Sequence, residues 1–371
     1  MIYLDYAANT PVDKRVLDKF NEITLDFYGN PNSIHSEGIK AKNLIDSASE
    51  SIASYFNTKK GSIIYTSGSS ESNNLVIKGL ADRLKTKGKH IIISEIEHSS
   101  IIAPCNYLSS LGFNISVIPL DENGIVDLKK LEKEIRNDTI LVSITSVDSE
   151  LGTIQPINEI VKIVKKHNII FHTDATQAVG KTNINYDGVD FLTFAPHKFY
   201  GLNGIGVLIN FNNIKLTPLI HGGKSTTIYR SGTPVTANIV SCAYALELIM
   251  ANLDNNINYI SNLKKMLINN IKKIEKVHIN SPEKSVDNIL NISISNASDI
   301  VDKLYEKNIC VSKQSACSLN TSPSKSVYAI TKDKFLASNS IRISLSHLTT
   351  KEEIEKFLIF FKELVNENSN N

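Results

Sequence analysis

The 371-residue sequence contains no tryptophan and only four cysteines. These cysteines form no CxxC pair and no spacing typical of zinc ligands, so neither a structural zinc site nor a disulfide framework is predicted. They are Cys105, Cys242, Cys310 and Cys317. We therefore expect no bound metal, and free thiols in a reducing compartment.

The sequence also lacks an excess of charge and a long apolar run. Forty basic and thirty-eight acidic residues give a net charge of +2, which argues against a nucleic-acid-binding surface. No apolar run approaches the ~18–20 residues that cross a membrane. The first ten residues, MIYLDYAANT, show no secretory signal and no Arg-rich transit peptide. We expect a cytoplasmic protein that does not bind nucleic acid or membranes.

Short apolar segments alternate with helical periodicity through much of the chain. Two helical patterns, over about residues 13–28 and 37–57, precede the first of these segments. The predicted strands are SIIYT, HIIIS, NISVIPL, ILVSITSV, IIFHTDA and VDFLTFA, and helices are predicted from about residues 70, 98, 127 and 158. This alternation predicts an α/β fold with a mostly parallel sheet and helices on both faces.

The length of the chain favours two domains. We predict a large α/β domain over residues 13–255, from which a long apolar helical pattern beginning near 234 leads out. A smaller α+β domain would comprise residues 1–12 and 256–371. Its elements would include the strands NILNISIS and SIRISLS and a terminal helix opened by the capping box Thr350–Glu353.

The stretch over residues 169–201 places chemically useful side chains at two strand ends. Asp174 ends the first strand, and His197 and Lys198 follow the second. Ligands of open α/β sheets bind at the carboxyl ends of the strands. Pyridoxal phosphate (PLP) needs a lysine for its Schiff base and an acid to keep its ring nitrogen protonated. Alternatively, Lys198 is a solvated surface charge, and Asp174 caps a helix over ATQAVG.

Further candidates follow two other strands. Ser67–Glu71 leads from a strand into a helix, whose N-terminus could bind a phosphate, although such turns are common. His98 could stack on a flat ring and move protons, or it could simply begin a helix. Gln177 lies in the same turn as Asp174 and could hydrogen-bond a ring substituent.

One stretch differs from the rest in composition. Six of the fifteen residues over 312–326 are serine, and no periodicity is present, so we predict an exposed, mobile loop. An exposed thiol on such a loop indicates reactivity for Cys317. The other three cysteines lie in apolar patterns, which is typical of small buried side chains.

Taken together, these motifs resemble cysteine desulfurases of the NifS/IscS type, which are class V members of the fold-type I PLP enzymes. The resemblance runs nearly from end to end of the chain. The segments that carry it are LDYAANTPVD, GNPNSIHSEG, TSGSSESNNL, IEHSS, HTDATQAVGK, APHKFYG, HGG at 221–223, RSGT at 230–233, SACS at 315–318 and SIRISL at 340–345.

The resemblance implies a role for each matching residue. Lys198 would form the Schiff base, Asp174 would contact the pyridine nitrogen, and His98 would stack on the ring and exchange protons. Gln177 would contact the ring hydroxyl. The remaining cofactor-binding residues would be Ser69, Ser70, Ser149, His197 and the Thr233 of a partner subunit. Arg342 would bind the substrate carboxylate with its two-pronged guanidinium. Cys317 would receive the sulfur.

The activity implied by the resemblance is conversion of L-cysteine to L-alanine, with a persulfide left on Cys317. The partners implied are a second copy of the chain and a protein sulfur acceptor, which would serve Fe–S cluster assembly or tRNA and cofactor thiolation. Another class V enzyme, either a selenocysteine lyase or an aminotransferase, is an alternative. Both could share Lys198 and Asp174, but an aminotransferase has no use for Cys317.

Several positions depart from the family pattern. Ser149 stands where an Asn is usual, Ala195 where a Ser is usual, and Leu202-Asn203 where Pro-Lys is usual. Lys224 and Thr226-Thr227 replace a Gly and a Glu-Arg pair. Each lost hydrogen bond is worth ~0.5–3 kcal/mol. These departures favour a further alternative, a degenerate paralogue that binds or relays sulfur with little turnover.

Overall fold

Three β-sheets organise the described part of the chain. A computed structural model describes residues 1–313 and 323–367. Its strands are β1 Ile2–Tyr3, β2 Ile63–Thr66, β3 His90–Ser94, β4 Asn114–Ile118, β5 Thr139–Ser143, β6 Ile170–Asp174, β7 Phe191–Phe194, β8 Gly206–Asn210, β9 His278–Ile279, β10 Ile289–Ser293, β11 Ile309–Cys310 and β12 Ser340–Ser344. Its α-helices are α1 Lys14–Asp26, α2 Ser36–Tyr55, α3 Ser69–Leu84, α4 Ser99–Ser110, α5 Leu128–Glu134, α6 Ile157–Lys166, α7 Thr236–Ala251, α8 Leu253–Ile271, α9 Ala297–Glu306, α10 Lys325–Thr331, α11 Lys334–Ser338 and α12 Lys351–Glu367.

The largest sheet has seven strands in the order β2-β8-β7-β6-β5-β3-β4. The strands β7, β6, β5, β3 and β4 run parallel to one another, whereas β8 lies antiparallel to both of its neighbours. The prediction of a mostly parallel α/β fold is therefore confirmed. The sequence prediction did not include β8, which inserts between two strands that are distant from each other in the chain.

Successive side chains of the central strands enter two different apolar clusters. In β3, Ile92 packs into the cluster on one face of the sheet, and Ile91 and Ile93 pack into the cluster on the other. In β5, Val142 packs into the same cluster as Ile92, and Leu141 packs into the same cluster as Ile91 and Ile93. Because side chains alternate across a strand and helices cover both faces, these strands are continuously apolar.

The apolar pattern near residue 234 forms α7, which packs against α1 and α2. The chain then turns at Asn252 and continues as α8. Among the described helices, none is long and apolar enough to cross a membrane by itself. Only α7 and α8 taken together, across a bend of 64°, meet the requirements of length and composition.

A second, smaller sheet lies in the last third of the chain. It is antiparallel, in the order β12-β10-β9, and β1 pairs separately with β11 in a parallel, two-stranded sheet. The strands β10 and β12 share an apolar cluster with α8, α9 and α12. The predicted capping box is present, since Thr350 N donates to Glu353 and Glu353 N donates to Thr350 Oγ1. The domain boundaries at residues 12/13 and 255/256 stay a prediction.

Candidate active site

A cavity of about 310 Å³ lies at the carboxyl ends of β2, β3 and β6 and beside the turn after β7. Its volume falls within the range of small-molecule sites. Eight of the residues predicted from the sequence line it: Ser69, Ser70, His98, Ser149, Asp174, Gln177, His197 and Lys198. The strand ends therefore bring these residues together as predicted.

Asp174 is the last residue of β6, and only 5% of it is exposed. Its Oδ1 accepts a hydrogen bond from Thr176 N at 2.9 Å, and its Oδ2 accepts one from Asn73 Nδ2 at 2.7 Å. The residues after it form turns rather than a helix, so the helix-cap alternative is wrong. The carboxylate is fixed by two donors while it faces the cavity.

Asn73 links this carboxylate to His98. Its Nδ2 also donates to Ser100 Oγ at 2.9 Å, and Ser100 Oγ lies 2.8 Å from His98 Nδ1. The same Nδ1 accepts from Ser100 N at 3.2 Å as His98 caps α4. Because Nδ1 acts as an acceptor, we assign the proton of the neutral ring to Nε2.

Lys198 ends a short 3₁₀ turn, Pro196–Lys198, that follows β7. Its Nζ donates to the carbonyl oxygens of Ala7 at 3.0 Å and of Ala8 at 2.6 Å. The half-buried lysine lines the cavity, so the surface-charge alternative is wrong. Beside it, burial and then the charge of Lys198 lower the pKa of His197 to about 4, which leaves that imidazole neutral at pH 7.

The N-terminus of α3 forms another wall of the cavity. Its N-cap is Gly68, which contributes no side-chain hydrogen bond, so the N–H groups of the first turn are available to a ligand. Ser69 Oγ lies 2.7 Å from Thr176 Oγ1. Gly206 starts β8 against this turn, where an added Cβ would lie 2.3 Å from Gly68 C. Only a glycine allows that approach.

Arg342 of β12 lies just behind the cavity, and only 1% of its side chain is exposed. Its Nη1 donates to Ser149 O and its Nη2 to Asp5 Oδ1, both at 2.9 Å. Its Nε has no hydrogen-bond partner within residues 1–313 and 323–367. A buried guanidinium with an unsatisfied N–H next to a cavity-lining residue is suited to receive a carboxylate.

A second, acidic cavity of about 60 Å³ adjoins the first through Ile96, His98 and Ser149. Glu97 lines it, and burial followed by the charge of Asp174 raises the pKa of Glu97 to about 8. Asp148 lines it too, and burial and the charge of Glu150 raise the pKa of Asp148 to about 6. These carboxyl groups are held by neighbouring donors, among them Thr145 N for Glu97 and Ser326 Oγ for Asp148.

Thr233 and the three described cysteines, Cys105, Cys242 and Cys310, are not part of the lining of this cavity. Thr233 is exposed and is not part of the lining, which agrees with the prediction that it serves a partner's site without testing it. Cys317 lies outside the described residues. Cys105 and Cys242 are buried as predicted, and burial raises the pKa of each to about 12. Cys310 is half-buried.

Sequence reasoning missed several residues that support this site. They are Asp5, Ala7, Asn73, Glu97, Thr176 and Lys181. All six lie inside the motifs that were quoted, but nothing in a single sequence says which motif residues touch one another. Within the described residues, no group of three or more His, Cys, Asp or Glu side chains could hold a metal ion.

The residues present fit PLP. A buried carboxylate faces a cavity of suitable size from one strand end, and a lysine faces it from another. An uncapped helix N-terminus supplies donors for a phosphate. The departures are consistent with a less complete phosphate site, since Ala195 is fully buried without a hydroxyl and Lys224 is exposed.

This fold and site define an α/β enzyme of the kind that uses PLP. The family model for class-V aminotransferases matches residues 2–357. The cysteine desulfurase IscS of Dictyoglomus turgidum is 41% identical over 371 residues, covering 98% of this chain and 94% of that protein. The chain belongs to the class-V aminotransferase family, whose cysteine desulfurase members depend on PLP.

Solved structures agree with this assignment. A NifS-like protein superposes with a TM-score of 0.92 at 34% identity, covering 98% of this chain and 99% of the other. A structure of SspA in complex with cysteine superposes with a TM-score of 0.83 at 34% identity, covering 94% of this chain and all (100%) of the other.

Proposed function

We propose that this chain is a PLP-dependent cysteine desulfurase that converts L-cysteine to L-alanine and transfers the sulfur to Cys317. The observation that carries the proposal is the shared cavity of Asp174 and Lys198, with the buried guanidinium of Arg342 behind it. The relative from Dictyoglomus turgidum supports the choice of substrate, as does the structure of SspA with cysteine.

The lining of the cavity supports the roles in PLP binding that the family resemblance implies. Asp174 would hold the ring nitrogen, Lys198 would bind the cofactor covalently, and His98 would lie against the ring. Gln177 would face the ring hydroxyl. The phosphate would lie near the N-terminus of α3, with Ser69, Ser70 and the neutral His197 as donors. Ser149 would border the cofactor where the family usually has an Asn.

Once bound, PLP supplies an electron sink that makes the Cα–H bond of the substrate labile. Arg342 binds the substrate carboxylate and so orients the amino acid. Lys198 Nζ, once the substrate amine has displaced it from the cofactor, would remove the Cα proton. Asp174 would keep the ring nitrogen protonated by holding negative charge beside it. His98 exchanges protons with the substrate through Nε2, because its Nδ1 already accepts from Ser100.

The sulfur step requires a nucleophile from Cys317. Its thiolate attacks the substrate sulfur, an S–S bond forms, and the Cβ–S bond breaks with its electron pair left on Cβ. Cβ then gains a proton and Cα regains a proton in place of the one that Lys198 took up, which gives alanine, while Cys317 carries the persulfide. A protein acceptor takes this sulfur for Fe–S cluster assembly or for tRNA or cofactor thiolation, in the cytoplasm.

We also propose a homodimer in which the partner's Thr233 completes the phosphate site. Thr233 is exposed in its own chain, on a segment that also exposes Ile228. Asn32 Nδ2 lies 3.5 Å from Ser225 Oγ, so this segment adjoins the loop that exposes Ile34, which is 94% exposed. Exposed apolar side chains on two adjoining segments favour an interface.

The experiment that tests the function is single-turnover alanine formation with L-cysteine, together with mass mapping of the persulfide. We expect stoichiometric alanine and a persulfide on Cys317 alone. Cys317→Ser should still bind PLP but make little alanine and no persulfide, because a hydroxyl is a far poorer nucleophile towards sulfur. The matched control is Cys310→Ser, a half-buried thiol of β11, which should behave like the parent protein.

The same experiment separates the rival functions. Alanine release at the parental rate from Cys317→Ser, or a persulfide on another cysteine, contradicts the mechanism. Keto acid in place of alanine identifies an aminotransferase. Turnover of selenocysteine but not of cysteine, in the same assay, identifies a selenocysteine lyase. A purified protein that binds no PLP and turns over nothing is the degenerate paralogue.

A further inference from the structure

Lys181 has no role in the steps above, yet it binds a residue of the cavity wall. Its Nζ donates to Gln177 Oε1 at 2.5 Å, while Gln177 Nε2 donates to Ala7 O at 2.9 Å. A protonated lysine can only donate, and a carbonyl can only accept. If the amide were reversed, its NH2 group would face the donating Nζ of Lys181 and its oxygen would face the carbonyl oxygen of Ala7, and both contacts would be unfavourable. Lys181 and Ala7 together therefore fix the orientation of the amide.

The nitrogen end of the amide is the end that lies near the reacting lysine. Gln177 is 8% exposed and lines the cavity of 310 Å³. Lys198 Nζ donates to the same Ala7 O at 3.0 Å, so this oxygen joins Gln177 Nε2 and Lys198 Nζ. With its oxygen turned to Lys181, Gln177 has only N–H groups to offer on that side.

The local fold explains how Lys181 reaches this position. Gly180 precedes it with a φ of +74°, and an added Cβ there would lie 3.0 Å from Phe199 Cβ. Lys181 N then donates to Ala178 O at 3.0 Å, which closes a turn and returns the side chain towards Gln177. A residue with a side chain at position 180 would be strained in this turn.

The charges around Lys181 are mostly positive. Lys181 and Lys198 both line a small cavity, together with Asp287 and His347. Burial, and then the charges of Lys198 and Arg342, lower the pKa of Lys181 well below 10.5. Holding a charged lysine in such surroundings is unfavourable, and its hydrogen bond to Gln177 offsets part of this penalty.

We propose that Lys181 is a positioning residue that presents the N–H end of Gln177, and not its oxygen, to the ring hydroxyl of PLP. This inference rests on the proposed function, in which Gln177 faces that hydroxyl. A fixed N–H donor stabilises the deprotonated oxygen of the hydroxyl and therefore favours loss of its proton. An amide that is free to turn would present its own oxygen part of the time and would lose this effect.

The test is a pH titration of the visible absorption of the PLP-loaded enzyme. In Lys181→Met we expect the midpoint to rise by about one pH unit, the size of one hydrogen bond to a charged group. Lys181→Arg retains a donor for Gln177 Oε1 and should keep the midpoint of the parent protein. If Lys181→Met does not fold, Lys181→Gln provides the same comparison, because its shorter side chain cannot reach as far.

A double-mutant cycle separates positioning from a direct effect of charge. If Lys181 acts through Gln177, Lys181→Met causes no further shift in a Gln177→Ala background. A shift of the same size in that background would mean that the lysine charge acts on Lys198 or the cofactor directly, and would overturn the proposal. The matched control is Lys264→Met, which removes a buried lysine that donates to Ser285 Oγ and Val286 O at 2.8 Å. It should leave the midpoint unchanged.

Failure of this inference differs from failure of the proposed function. A Lys181→Met protein that binds PLP, desulfurates cysteine and has the parental midpoint overturns the role of Lys181 and leaves the function intact. A parent protein that shows no visible PLP absorption after loading overturns the function, and the inference with it.

Discussion

Arg342 Nη2 donates to Asp5 Oδ1 at 2.9 Å, although the two residues are 337 positions apart in the sequence. The arginine is buried, and its other terminal nitrogen donates to Ser149 O. Two fixed acceptors therefore orient the guanidinium before any substrate arrives. A charge that is already oriented loses less entropy when it binds a carboxylate.

Replacing this arginine should act mainly on substrate binding. We expect Arg342→Lys to raise the KM for L-cysteine by roughly ten- to a hundredfold, because an ammonium cannot make the paired hydrogen bonds of a guanidinium. Steady-state kinetics with alanine as the product measure this. Arg136→Lys is the control, since Arg136 is an exposed residue that pairs with Asp138. An unchanged KM in Arg342→Lys would show that another residue binds the carboxylate.

Lys198 should be the lysine that binds PLP covalently. Reduction of the loaded enzyme with borohydride should fix the cofactor to Lys198, and peptide mass mapping should locate it there. The half-buried Lys181 is the informative internal comparison, because it lines the same small cavity as Lys198. An adduct on Lys181, or on an exposed lysine such as Lys224, would contradict the assignment.

Asp174→Asn should keep PLP bound but lower kcat by roughly a hundredfold or more, because a neutral amide cannot stabilise the positive charge on the ring nitrogen. The amide oxygen can still accept from Thr176 N, so the fold should survive. Asp190→Asn is the matched control: Asp190 is equally buried and pairs with Lys165, away from the cavity. Asp190→Asn should lower the free energy of unfolding and leave turnover per bound PLP unchanged. Full activity in Asp174→Asn would contradict the proposed role of Asp174 at the ring nitrogen.

Glu97 should make the protein less stable as the pH rises. Burial raises the pKa of this carboxyl from 4.5 to about 8, so between these values the folded protein holds a proton that the unfolded chain has lost. The free energy of unfolding then falls with pH, by at most about 1.4 kcal/mol per pH unit. Glu97→Gln does not titrate and keeps an acceptor for Thr145 N.

The advantage of Glu97→Gln over the parent protein should therefore grow between about pH 5 and pH 8 and level off above that. Urea unfolding at several pH values across this window measures it. Glu132→Gln serves as the control, because Glu132 is exposed and Lys166 lowers its pKa from 4.5, so the carboxyl is ionised in both the folded and the unfolded chain across this window and its contribution should not change with pH. Parallel stability curves for the parent protein and Glu97→Gln would contradict a buried neutral carboxyl.

The sequence was sufficient for the parallel strands of the large sheet and for most of the cavity wall. Buried strands of parallel sheets are recognisable, as in the run Ile91–Ile93, and a polar residue that follows such a strand lies at the ligand-binding edge. That rule alone brought Asp174, His98 and Lys198 to one cavity. The family resemblance added Arg342, which no strand-end rule would select.

The contacts between distant segments were not predictable in this way. The strand β8 pairs with β2 and β7 because of the way the chain crosses the sheet, and local patterns carry no information about strand order. The bond from Asn73 to Asp174 and the pair Asp5–Arg342 depend on the same crossings. The role of Cys317 rests on the sequence alone, since this residue lies outside the described residues.

The position of β1 has a consequence for synthesis on the ribosome. Leu4 N donates to Cys310 O, and Leu4 O accepts from Ser344 N, so the first residues are held by strands that are translated late. Ala7, which contacts both Lys198 and Gln177, follows directly. The nascent chain therefore cannot complete the wall of the cavity until translation is almost finished. We therefore expect stable capture of PLP only after translation, and no competent site in a truncated chain that lacks β12.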